Sequence, residues 1–202
     1  MKTPSHSSSS KGFTLIELLV VIAIIAVLAS ATFAIGPAMM NRARKVSAQA
    51  SASSINNAIE MYYTEYSALP TTTANNASPT EVALTTSVGG TGVDIIKVLS
   101  GEDLLSQNPR KMRFLTGKEA KNGRDGFIYS GNLVNAMLDP WEQPFYIMLD
   151  YGYDELLTVR IATPRSTPNP TVFTLRGRRA AVYSLGVDLP SAASASTLVK
   201  TW

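Results

Sequence analysis

Lys11-Gly12-Phe13-Thr14-Leu15-Ile16-Glu17 sets a basic residue and a glycine directly before a hydrophobic run with one carboxylate near its start, and Leu18 to Ile35 then carries no charge. A helix over that run approaches the ~20 mostly apolar residues needed to cross a hydrocarbon core. Glu17 therefore demands a partner, because a carboxylate inside lipid costs at least ~2.5 kcal/mol. Read from the run alone, Glu17 snorkels to the headgroups.

A competing reading makes Lys2 and Lys11 the n-region of a secretory signal, Leu18 to Leu28 its h-region and Ala29-Ser30-Ala31 its cleavage site, which would release a soluble protein. Glu17 inside the apolar stretch, and a helical pattern that continues unbroken to Gly36-Pro37, argue against it.

The segment KGFTLIELLVVIAIIAVLAS resembles the N-terminus of type IV pilins and of the pseudopilins of type II secretion systems. The resemblance implies a leader over residues 1–12, cleavage by a prepilin peptidase between Gly12 and Phe13, methylation of Phe13, and Glu17 as the glutamate of assembly. The implied cut leaves Phe13 a free amine one helical turn from the Glu17 carboxylate, and within one chain the pair neutralises a helix N-terminus. Between chains, the cost of leaving a charge buried and unpaired drives the Phe13 amine of one copy beside the Glu17 of another and sets axial register. It implies a cytoplasmic N-terminus and a C-terminal domain outside, in a single-pass protein of the bacterial inner membrane. Charge does not decide that orientation, since Lys2 and Lys11 on one flank are matched by Arg42, Arg44 and Lys45 on the other.

Composition bounds the rest. The chain of 202 residues carries 18 Lys and Arg against 15 Asp and Glu. Loss of Lys2 and Lys11 with the leader leaves 16 basic and 15 acidic side chains, a net charge of +1 that gives no reason to expect nucleic acid. There is no Cys, and His6, in the leader, is the only His. The mature chain then lacks a thiol nucleophile, a histidine base and the Cys/His ligands of ordinary zinc sites, so no enzyme is expected. Carboxylates remain for a hard cation such as calcium.

Past Pro37, the residues Ala48, Ala52, Ile55, Ile59, Tyr62 and Tyr66 recur at spacings of four and three, predicting an amphipathic helix whose apolar stripe is core. Small residues from Ala43 to Ser54 suit close approach of neighbouring helices. Gly36-Pro37 predicts a kink or local melting, and Leu69-Pro70 the helix end. The organisation expected is residues 1–12 leader, 13–36 transmembrane and assembly helix, 37–69 its amphipathic continuation, and 70–202 a globular domain.

In that domain, residues 71–92 read as a long loop with a helical turn near Glu81 to Leu84. Asp94 to Leu99 reads as a short helix with Asp94 as N-cap and Gly101 past its end. Asn108-Pro109 signals a turn, followed by the basic cluster Arg110, Lys111 and Arg113, a solvated face or a partner surface. Strands are predicted at Phe145 to Leu149, Leu157 to Ile161 and Ala180 to Leu185. The first two form a hairpin through Asp150 to Asp154, and Pro164, Pro168 and Pro170 mark a surface loop before the third. The fold class expected is α+β, a pilin-like long helix packed on a small antiparallel sheet.

Two further stretches narrow the resemblance to the major pseudopilin of type II secretion. Leu138-Asp139-Pro140-Trp141-Glu142-Gln143-Pro144-Phe145-Tyr146 is similar to the Asp-Pro-Trp-Gly-Asn-Pro-Tyr segment of that family, with Glu142-Gln143 in place of Gly-Asn, so its turn is made without glycine. Tyr183-Ser184-Leu185-Gly186-Val187-Asp188 and Trp202 resemble its calcium loop. Only Asp188 is matched there, since Leu189 to Lys200 holds no acid, and the alternative is a loop held by Leu198, Val199 and Trp202. The resemblance implies a structural subunit of a periplasmic filament whose partners are copies of itself, other pseudopilins, the peptidase, an inner-membrane secretion platform and lipid. A type IV pilus subunit for adhesion, motility or DNA uptake is the nearest alternative, and a soluble carboxylate enzyme cut after Ala31 a more distant one.

Overall fold

The computed structural model describes residues 13–73, 81–161, 170–186 and 198–202, and of residues 31–37 the backbone alone. The chain divides into two compact units, Met1–Arg42 and Ala43–Trp202. One helix, α1, runs over Leu15–Tyr66 and contributes to both. Its backbone stays helical through Gly36 and Pro37. It stops at Tyr66, short of Leu69-Pro70, because Ser67 turns to φ +53 and donates its N–H to Tyr63 O at 2.8 Å.

In the second unit, β1 (Leu84–Thr85) precedes α2 (Gly92–Leu99), a 3-10 turn (Leu104–Ser106) and the hairpin β2 (Gly126–Ser130) and β3 (Leu133–Leu138). Then come β4 (Phe145–Leu149), β5 (Leu156–Ile161), β6 (Thr171–Arg176), β7 (Ala180–Ser184) and β8 (Val199–Lys200). The main sheet is antiparallel with order β1-β4-β7-β8, and β2-β3 and β5-β6 pair separately. The expected α+β class is the class found.

Alternation along β4 and β7 explains how both become buried on two faces, since successive side chains of a strand point opposite ways. Phe145, Ile147, Leu149, Ala180 and Val182 join Ala48, Ala52, Ile55, Ile59 and Tyr62 of α1 in one core. Met148, Ala181 and Tyr183 face the other way, onto Leu157, Val159 and Ile161 of β5. The sheet thus lies between the helix and the β5-β6 hairpin. The stripe at helical spacing is core, as its periodicity predicted. Burial pushes the Tyr62 phenol up to about 12, with the charges of Tyr66, Asp103 and Tyr153 adding to it. It stays a neutral donor to Gln107 O at 2.8 Å.

Four local expectations are corrected. β4 and β5 are not a hairpin: both edges of β4 are already taken, by β1 and β7. The connecting turn, with Tyr153 and Glu155 at positive φ, sends β5 away to pair with β6. The connection before the third strand is no plain loop, because Thr171–Arg176 forms β6. Residues 81–84 form no helical turn, and Leu84 instead opens β1. α2 starts at Gly92 with Thr91 at the N-cap, so Asp94 falls inside the first turn. Its carboxylate accepts from the N–H and hydroxyl of Thr73, at 2.8 and 2.6 Å, tying the preceding loop to the helix. The β2-β3 hairpin was unread, although its strands are separated by two residues of hairpin type, Gly131-Asn132.

Thr86 joins the hairpin to the main sheet. It is fully buried, donates its hydroxyl to Met137 O at 2.6 Å and accepts from Phe145 N at 2.9 Å.

Glu142 carries the turn that lacks glycine. It sits at φ +66, where an L-residue pays about 1–2 kcal/mol. An exposed ion pair with Arg124 offsets little of this, since such pairs contribute about 0–1 kcal/mol. Glu142→Gly is therefore expected to match or exceed the native protein by up to ~1 kcal/mol, and Glu142→Ala to fall below it by up to about 1 kcal/mol. Urea unfolding of both variants tests this, and equal losses in the two would refute the strain account.

Candidate assembly site at the start of the helix

The first unit is described from Phe13. Thr14 is the residue before α1, and Glu17 is the third residue of the helix. Glu17 N–H donates to Thr14 Oγ1 at 3.3 Å, while the Glu17 carboxylate accepts from Thr14 N–H at 2.8 Å and from the Thr14 hydroxyl at 2.7 Å. This is a capping box, which satisfies orphan donors at both ends of the first turn. Thr14 was missed in the sequence, although the Thr-x-x-Glu spacing before an apolar run was there to be read. Glu17 thus has a local task in the single chain: it holds the helix start together and places a negative charge at the positive end of the helix dipole.

From Phe13 to Leu28 the apolar side chains are open. Phe13 is 78 % exposed, Leu15 82 % and Ile16 69 %, and Leu18, Leu19, Ile22, Ile24, Ile25, Val27 and Leu28 are all more than half exposed. A helix apolar all round is stable only when buried, in lipid or among other helices. Ser30 does not interrupt this, because its hydroxyl donates to Val27 O at 2.8 Å. Among the described residues, no helix is long and apolar enough to cross a membrane. The part of the expected span whose side chains are described ends at Ser30, short of the ~20 residues a crossing takes.

Of the other sequence-predicted positions, Gly12 and Asp188 lie outside the described residues. Gly36 and Pro37 are described in backbone only, within α1. The two stretches that resemble the major pseudopilin are brought together in the second unit. Ser184 of β7 pairs with Phe145 of β4, and the Ser184 hydroxyl donates to Asp139 Oδ2 at 2.5 Å. Asp139 Oδ1 accepts from Trp141 N and Gln143 N, both at 2.8 Å. Burial holds the Asp139 carboxyl above its usual range against the lowering effect of these hydrogen bonds.

That arrangement bears on calcium. The Ser184 oxygen also accepts Gly186 N–H at 3.1 Å, so this hydroxyl is spent inward, on the fold. Val199 is buried in the main core, and Trp202 packs edge-on against Tyr183 and Phe173. Elsewhere, Glu81, Asp150 and Asp154 bring one carboxylate oxygen each within 4.8 Å of one another at the β4-β5 turn. Their oxygens accept main-chain N–H groups of Gly152, Glu155 and Leu156, among others, which is ordinary turn stabilisation.

Comparison with known proteins adds one finding at the start of the chain. Residues 7–33 match the prokaryotic N-terminal methylation motif. No curated protein and no solved structure matches the chain. The match spans Thr14, Glu17 and the open apolar helix that they begin. It accounts for a helix that no part of a lone globular domain would need. A methylation motif over residues 7–33 and an apolar helix, set before an α+β unit, support a type IV pilin-like protein.

Proposed function

We propose that the protein is a structural subunit of a type II secretion pseudopilus. The observation that carries this is the capped helix of exposed apolar residues inside a methylation motif, a surface that only lipid or neighbouring subunits satisfy. Prepilin peptidase cuts between Gly12 and Phe13. The membrane holds residues 13–36 until assembly, with the second unit on the periplasmic side of the inner membrane. Filament entry then exchanges lipid for the helices of other copies, and Gly36 and Pro37 are where α1 yields as it packs. The Asp-Pro-Trp and Ser-x-Gly stretches, joined by Asp139 and Ser184, favour secretion over the second reading, a type IV pilus subunit.

Glu17 has two tasks in this scheme, and they separate by substitution. Glutamine at the same place keeps a capping box but no charge. Glu17→Gln is expected to leave cleavage intact, with N-methylated Phe13 at the mature N-terminus by mass spectrometry. Filament yield is expected to fall on the order of a hundredfold, from the ~3 kcal/mol or more of stranding the Phe13 amine of the next copy. Normal filaments from Glu17→Gln would reduce Glu17 to a helix cap. A mature chain starting at Thr32, or an intact Met1, would remove the assembly reading altogether.

A further inference from the structure

The basic cluster after Asn108 is split by the fold. Arg110 is paired with Glu65 of α1. Lys111 and Arg113 are exposed and have no ion-pair partner among the described residues. Both instead line a cavity of about 360 Å³ with Glu102, Phe127 and Tyr129. Glu102 is the one acid there, and its Oε1 accepts Val134 N–H at 3.2 Å. The cavity thus holds a net positive charge above an aromatic floor. Gly101, at φ +102, lies under one of the two cations: a Cβ there would stand 2.9 Å from Arg113 Cγ, and that side chain would have to shift.

A guanidinium fork beside an ammonium is the donor set for carboxylates. The same unit presents such a group elsewhere. Glu81, Asp150 and Asp154 crowd three carboxylates together at the β4-β5 turn, with no cation paired to them among the described residues. Main-chain N–H groups of Gly152, Glu155 and Leu156 hold these carboxylates in place, with Asp150 buried and Glu81 and Asp154 exposed to an arriving cation.

We propose that the Lys111–Arg113 cavity receives the Glu81–Asp154 carboxylates of a second copy of this chain. The contact rests on the filament reading above and names one of its surfaces. Two complementary patches on one unit form a head-to-tail interface, which propagates when the rotation does not close. Carboxylate and cation then meet at each successive junction. The contact adds register between the globular units to whatever the N-terminal helices supply.

The full-length chain is suited to a cross-linking test because it has no Cys. Arg113→Cys subunits are co-expressed with Asp154→Cys subunits, and sheared filaments are oxidised and run without reductant. A disulfide-linked dimer from the mixture, and none from either variant alone, is expected. In parallel, Lys111→Glu/Arg113→Glu places like charges face to face and is expected to lower filament yield ~10-fold or more. Adding Glu81→Lys/Asp154→Lys in the same chain is expected to restore it, which a merely misfolded variant could not do.

Native filaments with methylated Phe13, but no cross-link and no effect of either charge change, would overturn this contact and leave the filament reading in place. A dimer from Arg113→Cys alone would overturn it too, since the patch would then meet itself. An unprocessed Phe13 with no filaments from the native chain would remove the filament reading and this contact with it.

Discussion

Asn108→Asp, a change of one atom type, is expected to lower unfolding free energy by about 3–5 kcal/mol, the cost of an uncompensated buried charge. Asn108 is fully buried. Its Nδ2 donates to Val98 O and Met112 O, both at 2.9 Å, while Oδ1 accepts from Met112 N at 2.9 Å and from the Tyr66 hydroxyl at 2.8 Å. The partners leave one orientation of the amide, because two carbonyls require the nitrogen and an N–H requires the oxygen. A carboxylate would aim a second acceptor at those two carbonyls. Asn108→Ala removes the same bonds without adding charge and is expected to cost about 2–4 kcal/mol, from several hydrogen bonds of roughly 1 kcal/mol each and the stranded groups left behind. The ordering Asp below Ala below native, in urea unfolding of the detergent-solubilised full chain, is the result that counts. An Asp variant as stable as the native chain would mean the network is not closed as described.

Asp139→Ala is the second large effect, expected at about 2–4 kcal/mol, because it leaves Trp141 N and Gln143 N without acceptors and the Ser184 hydroxyl without its partner. Asp139→Asn separates hydrogen bonding from charge. An asparagine oxygen can take both N–H groups and its nitrogen can donate to the Ser184 oxygen, which strands only the Ser184 proton, so the loss is expected at about 1–2 kcal/mol near neutral pH, less than for Asp139→Ala. The pH dependence carries a definite sign. Burial raises the Asp139 pKa in the fold above the ordinary 3.8. A raised acid contributes stability that is fully present below the unfolded pKa and is lost as pH rises through the folded one. The Asn variant lacks that loss. Its stability relative to the native chain is expected to improve as pH climbs from below 3.8 through the folded pKa. A relative stability that instead worsens over that climb would mean the carboxylate is favoured in the fold, and the burial account would fail.

Both networks sit on residues that the sequence read only as turns. Asn108-Pro109 and Asp139-Pro140 are turn signals, and turns are found at both places. That Asn108 reaches Tyr66 on α1, and Asp139 reaches Ser184 on β7, has no local signature, since the partners lie 42 and 45 residues away in the chain. The same distance explains the mistaken hairpin. Phe145 to Leu149, Leu157 to Ile161 and Ala180 to Leu185 read as strands from short apolar runs, which are local. Which strand β4 pairs with depends on Leu84-Thr85 far upstream and on β7.

What the residues determined by themselves was everything that repeats along one element or is written within one turn of helix. The apolar run with Glu17, the period-3.6 stripe from Ala48 to Tyr66 and the α+β class all follow from side chains within a few positions of one another, where backbone geometry alone sets who shares a face. The tertiary structure decided which of those faces meet. It placed β4 between α1 and β5, closed the Asp139–Ser184 bond, and left Lys111 and Arg113 open while pairing Arg110 with Glu65. The physical reason is that burial and charge pairing are contests among all surfaces of the folded chain, and no short window of sequence contains the competitors.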